Sequence, residues 1–280
     1  MTAASPGAAR LAADAAATAG VRIREVAEPG ELRELNELFR DIWRPDPGNP
    51  PLTEELLRVL AHTGNYVGGA FLGDRLVGAA VGLFAAPATG ALHSHITGVG
   101  AAARGRSVGF ALKLHQRAWA LERGLARITW TFDPLVRRNA HFNLVKLGAR
   151  PARYLPDFYG PMDDHINGGG ATDRLLISWE LAGEDVEAAC AGNPRPAVPP
   201  PHAARVLANE DGRPEPEKAD APVVLVDTPA DIEGLRTGDP ACAALWRERM
   251  REALCDRMAG GAAITGFTRE GQYVLRTPED

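Results

Sequence analysis

Cysteine is scarce in this chain: Cys190, Cys242 and Cys255 are the full set, all in the last third and none in a CxxC spacing. An odd, scattered set of that kind gives neither a disulfide framework nor a zinc site, and it suits a reducing cytoplasm. Long apolar runs are missing too, so nothing reaches the roughly 20 residues that a membrane helix needs. The opening MTAASPGAARLAADAAATAG has neither the continuous apolar stretch of a leader nor an early cationic cluster. Charge of one sign is also lacking, with 31 basic residues interspersed among 36 acidic ones and a net charge of −5. No broad surface for nucleic acid or anionic lipid is expected, and any anion site must be local.

What is present is 280 residues at 45% hydrophobic content, enough for one sizeable core and a smaller second unit. Residues 1–20 are expected to be a mostly disordered tail. Residues 21–27, VRIREVA, alternate as a half-buried strand does, and Leu32, Leu35, Leu38, Phe39 and Ile42 then fall on one helical face. A second helix follows with Thr53 as its N-cap, then a hairpin turning at Gly73-Asp74, a strand ALHSHITGV, and a helix over 107–123 closed by Gly124. ARITWTF gives another strand, NAHFNLVKLG a shorter helix and DRLLISWEL a further strand. Residues 183–221, with NPRPAVPPPH and DGRPEPEKADAP, read as a proline-rich linker or arm. Residues 222–280 then give a C-terminal α/β unit whose strand, two helices and hairpin echo the opening order without repeating its residues.

The informative junction is ITGVGAAARGRSVGFALKL, where a β-branched run meets a helix former through small and cationic residues. The first amides of a helix have no intrahelical partners and its N-terminus carries roughly half a positive charge. Arg104, Gly105, Arg106, Ser107, Val108 and Gly109 therefore read as a cradle for a diphosphate.

The element order, with this loop between the fourth strand and third long helix, resembles the GNAT acyltransferase superfamily. The family's Gln/Arg-x-x-Gly-x-Gly/Ala loop falls on Arg104 to Gly109, with Ser107 at the middle glycine. The resemblance covers about residues 21–182 and is narrower to a little-characterised bacterial branch with a C-terminal extension. It implies a mixed, mostly antiparallel sheet flanked by helices, with acetyl-CoA or another acyl-CoA as co-substrate. It also implies a pantetheine arm along Thr97 to Val99, with Asn139 and Lys146 on the acyl-CoA side. The tyrosine acid of many members falls on Leu144 here, so that acid is absent. For proton handling the residues offer His95, Asp133 and Tyr159. By alternation, His93, His95 and Thr97 share one strand face.

The expected reaction is transfer of an acetyl or other short acyl group to a small amine, without metal. Acyl-carrier thioesters are an alternative donor, and a non-catalytic acyl-CoA or acyl-carrier binding module is the rival reading. The C-terminal unit is expected to pack on the core or on a second subunit of a homodimer. Residues 98–103, GVGAAA, also fit a dinucleotide fingerprint, but no acid stands at the required distance. His93-x-His95 lacks a third metal ligand at a suitable spacing.

Overall fold

The computed structural model describes residues 6–45, 50–160, 170–219 and 221–278. They form two compact units, one of residues 1–130 with 180–182 and the other of 131–179 with 183–280. This division falls inside the span 21–182 that the sequence suggested as one core.

The first unit opens with α1 (Pro6–Ala19), within the stretch expected to be disordered. That expectation is corrected by packing: Ala8, Ala12 and Ala19 are buried along one stripe that lies on α4 (Val108–Glu122). Alanine pays no side-chain entropy in a helix and lets two helices approach closely. The strands are β1 (Arg22–Glu25), β2 (Tyr66–Leu72), β3 (Arg75–Phe84), β4 (Ala91–Val99) and β5 (Arg127–Phe132). They lie in the order β1-β2-β3-β4-β5, antiparallel except where β4 meets β5. Between β1 and β2 run α2 (Pro29–Trp43) and α3 (Glu54–His62), the latter capped by Thr53, whose hydroxyl accepts from the Leu56 amide at 3.2 Å. Leu32, Leu35 and Phe39 of α2 and Leu57 and Leu60 of α3 pack with Val67, Phe71 and Val81 of the sheet into one core.

In the second unit α5 (Arg137–Ala140) continues into a π turn over His141–Lys146, where the Leu147 amide reaches the Phe142 carbonyl at 3.0 Å. β6 (Arg150–Leu155) pairs antiparallel with β7 (Arg174–Glu180), and α6 (Glu184–Cys190) follows. The expected linker is in part a hairpin: β8 (Ala204–Glu210) and β9 (Arg213–Pro216) pair antiparallel, with Val206, Leu207 and Ala208 buried. Prolines are tolerated there because β9 is an edge strand. β10 (Val223–Asp227), α7 (Ile232–Gly238), α8 (Pro240–Ala259), β11 (Ala263–Phe267) and β12 (Gln272–Arg276) complete the chain. The second sheet runs β11-β12-β10-β8-β9, so β10 pairs with the later strand of its hairpin. In the first unit β1 pairs with the earlier strand, β2, so the echo in element order is not an echo in topology. Among the described residues no helix is long and apolar enough to cross a membrane.

Because the α1 stripe has no spare room, Ala12→Leu should destabilise the protein by about 1–3 kcal/mol through overpacking. Urea unfolding measures this, and an unchanged midpoint would mean that α1 is peripheral.

Candidate active site

The junction loop is exposed from Arg104 to Ser107. Ser107, the N-cap of α4, sits in the left-handed region at φ 62 and ψ 19, and Gly105 has φ 79. A serine in that region costs of order 1 kcal/mol relative to glycine, which explains why a glycine suits this position of the loop. The turn uses up some amides: Arg104 and Arg106 reach back to Ala101 and Ala103 at 3.3 and 3.4 Å, and Phe110 and Ala111 both reach the Ser107 carbonyl. The amides of Gly105, Ser107, Val108 and Gly109 make no hydrogen bond among the described residues.

A cavity of about 440 Å³ opens beside this loop, lined by Arg40, Arg44, Arg75 and Arg104 with Asp41. Sequence reasoning missed the first three. Arg40 and Arg44 read as the close of α2 and Arg75 as the exit of a tight turn, and only the fold gathers them next to Arg104. Arg104 is the residue the cavity shares with the loop, so the cavity meets the loop at its start.

β4 supplies the second feature. It pairs with β5 only through Ala91, Leu92 and His93, so from Ser94 onward its pairing runs to β3 alone. Among the described residues no strand pairs with the far edge of Thr97 to Val99, on the side that β5 leaves. The pairing to β3 also carries a bulge: Ser94 lies opposite Gly82 and Ile96 opposite Val81, which leaves His95 as the extra residue. The expectation that His93, His95 and Thr97 share a face is corrected by this bulge. His93 and Ile96 pair with Leu83 and Val81 on one face, whereas Ser94 and Thr97 pair with Gly82 and Ala80 on the other. A bulge re-aims a side chain, and His95 is the one freed here. Partial burial holds its pKa below the ordinary histidine value, so it is neutral and able to accept a proton near pH 7. His93 is also lowered, by burial and then by His95 and Lys113, and its Nδ1 lies 3.0 Å from Thr129 Oγ1.

The glycines of GVGAAA have a packing reason. A Cβ at Gly98 would stand 2.6 Å from the Trp43 ring, so this glycine admits the end of α2 to the sheet, and the dinucleotide reading has nothing left to explain.

Lys113 is the polar group the sequence hid. It is 4% exposed, donates to Ser94 Oγ at 2.8 Å and to Gln116 Oε1 at 3.4 Å, and lies 4.0 Å from the centre of the Trp130 ring. Burial pushes its pKa down to about 7.

The remaining named residues lie in the second unit. Asp133 is buried, accepting from Arg247 at 2.8 and 2.6 Å and from Arg236 at 2.5 Å. Burial alone would raise its pKa, but Arg247 and Arg236 outweigh it and hold the carboxyl at about 2. Such a group is too weak a base for proton abstraction near neutrality. Its observed work is to anchor α7 and α8. Tyr159 is exposed, its hydroxyl 3.3 Å from Thr131 Oγ1 and its ring 5.3 Å from the Arg174 guanidinium. Asn139 stands on α5 with its amide bonded to the Val136 carbonyl, and Lys146 closes the π turn, exposed. Among the described residues no group of three or more His, Cys, Asp or Glu gathers for a metal.

Lys113 makes stability depend on pH. Its folded pKa is about 7 and an unfolded lysine titrates near 10.4, so between these values the unfolded chain holds the extra proton. Stability should therefore rise with pH from about 7 to 10, by up to about 1.4 kcal/mol per unit. Lys113→Met should flatten that slope in urea unfolding at pH 7 and 9, and an unaltered slope would show that Lys113 is not the group.

Residues 8–134 match the acetyltransferase (GNAT) domain. Among solved structures, the ribosomal-protein-S18-alanine N-acetyltransferase of Escherichia coli is 15% identical, covering 59% of this chain and 97% of that one with a TM-score of 0.46. An N-acetyltransferase of Staphylococcus aureus Mu50 is 15% identical over 57% of this chain and 98% of its own, TM-score 0.48. A GNAT-family acetyltransferase of Streptococcus pneumoniae is 16% identical over 56% and 98%, TM-score 0.46. No curated protein matches the chain significantly. The domain match covers residues 8–134, from the first helix to just past β5, and this stretch of the chain is thus similar to a GNAT acetyltransferase domain.

Proposed function

We propose that this chain moves an acetyl or other short acyl group from coenzyme A to a small-molecule amine by direct attack. The observation that carries the reading is the set of four amides, Gly105, Ser107, Val108 and Gly109, without a hydrogen-bond partner among the described residues beside Arg104. The match of residues 8–134 to a GNAT acetyltransferase domain supports acyl transfer from an acyl-CoA; the acceptor class and the residue roles are our reading.

In this scheme the loop amides and the arginines of the neighbouring cavity hold the diphosphate, and the open edge of Thr97 to Val99 pairs with the amides of the pantetheine arm. Arg106 is exposed and adds local positive potential. The acceptor amine, deprotonated by His95 directly or through one water, attacks the thioester carbonyl; the C–N bond forms, the C–S bond breaks, and the leaving thiolate takes a proton from Tyr159 or solvent. Fixing amine and carbonyl in geometry can itself supply roughly 7–11 kcal/mol, so the missing tyrosine at Leu144 does not preclude turnover. Asp133 has no proton role, for the reason given above. Asn139 stays on the thiol side by resemblance alone. The rival is a binding module without turnover, with an acyl-carrier thioester as a variant donor.

Release of free thiol from acetyl-CoA with a panel of small amines, corrected for hydrolysis, separates the two: saturable binding without release supports the module. Gly109→Glu should weaken coenzyme A binding at least tenfold, since its side chain brings negative charge into the cradle; unchanged affinity in a folded variant would refute the site. His95→Ala should lower turnover about 10²–10⁴-fold with donor affinity kept, as loss of a general base does. Tyr159→Phe should lower turnover without altering donor affinity, and full activity would leave the thiolate to solvent.

A further inference from the structure

The second unit holds a cavity of about 430 Å³ between the α5 segment and the turn joining β11 to β12. Five of its lining residues are basic, Arg137, Arg138, His141, Lys146 and Arg269, and none is acidic. Two of these are already engaged. Arg137 donates to Thr228 Oγ1 at 3.0 Å and to the Thr228 carbonyl at 2.5 Å, and Arg138 pairs with Glu233. The Arg137 guanidinium is also fixed by close approach: a Cβ at Gly271, which has φ 92, would stand 2.5 Å from its Nε. Lys146 and Arg269 make no ion pair among the described residues. The Lys146 charge reaches His141, whose pKa is lowered by burial and then by Lys146. The lining also includes Phe142 and the buried Phe267.

A pocket of this size with an aromatic wall and uncompensated cations has the makings of a small-molecule site. We propose that it binds a small organic anion, with its acid head between Lys146, Arg269 and the fixed Arg137 and its apolar body against Phe142 and Phe267. The head is a phosphate or a carboxylate, since both accept from guanidinium and ammonium donors. The site uses no residue of the Arg104–Gly109 loop, so it does not depend on the reading of that loop; it does take Lys146, which the resemblance had put on the acyl-CoA side, and so replaces that role of Lys146.

Calorimetric titration of the full chain with phenyl phosphate, benzoate and inorganic phosphate tests this. Phenyl phosphate or benzoate should bind saturably, and phenyl phosphate at least tenfold tighter than inorganic phosphate, because binding removes the ring from water. Whichever aryl anion binds tighter identifies the head. Arg269→Ser and, independently, Lys146→Gln should each weaken binding at least fivefold, and Phe142→Ala should erase the preference for the aryl ligand. The His141 ring resonances should shift on binding, with the affected charge set being Lys146, Arg137, Arg138 and Arg269. Absence of saturable aryl-anion binding, affinity unchanged in both charge variants, or displacement of the bound anion by coenzyme A would overturn the proposal.

Discussion

A chain that turns from a strand into a helix must leave the first amides of that helix without carbonyl partners, and the account of this protein depends on how that turn is closed. Gly105 and Ser107, both at positive φ, bend the backbone so that the Ser107 carbonyl takes two amides further along the helix, while four others have no partner among the described residues. Gly105 and Ser107 are exposed whereas Val108 is buried; unpaired amides at a helix N-terminus are worth more facing an anion than facing water, because they are fixed and aided by the helix dipole. The overall charge of −5 makes such a site local, and the arginines of α2, the β2–β3 turn and the loop itself supply the cationic potential that the composition does not.

Two other devices in the first unit serve the same end. Strand β4 keeps β5 as a partner only through His93, which leaves edge backbone ready to pair with an amide-bearing chain, as strand addition does elsewhere. The bulge at His95 breaks the alternation at the point where that edge begins. Beneath lies Lys113, a buried amine without an acid partner; the cost of charging it is a reason for its shifted titration, not evidence of catalysis. In the second unit the cost of a buried charge is met differently, with Asp133 enclosed by two arginines. Removing one partner of such a group is far more costly than never having had the pair.

How much of this was legible in the sequence varies with the range of the interaction. The loop was, because unpaired amides and small residues are properties of consecutive residues, and so were the Thr53 cap, the Gly73-Asp74 turn and the amphipathic α2. Helix α1 was not, because its buried stripe is alanine and gives little apolar contrast with the exposed alanines beside it. The β8–β9 hairpin was hidden by prolines that an edge strand accommodates. The bulge at His95 cannot be read from alternation, since it is the failure of alternation. Lys113 looks like a surface residue on a helix until Ser94, Gln116 and Trp130 surround it. Asp133 offered itself for proton handling, and its arginines stand 103 and 114 positions away in the chain.

The most direct measurement follows the backbone amide resonances of Gly105, Ser107, Val108 and Gly109 by ¹⁵N–¹H spectroscopy while coenzyme A is added. The account predicts saturable downfield shifts at these four amides, as N–H groups acquire phosphate acceptors, with much smaller changes at the already bonded amides of Phe110 and Ala111. Saturable binding elsewhere that leaves the four resonances unmoved would contradict it.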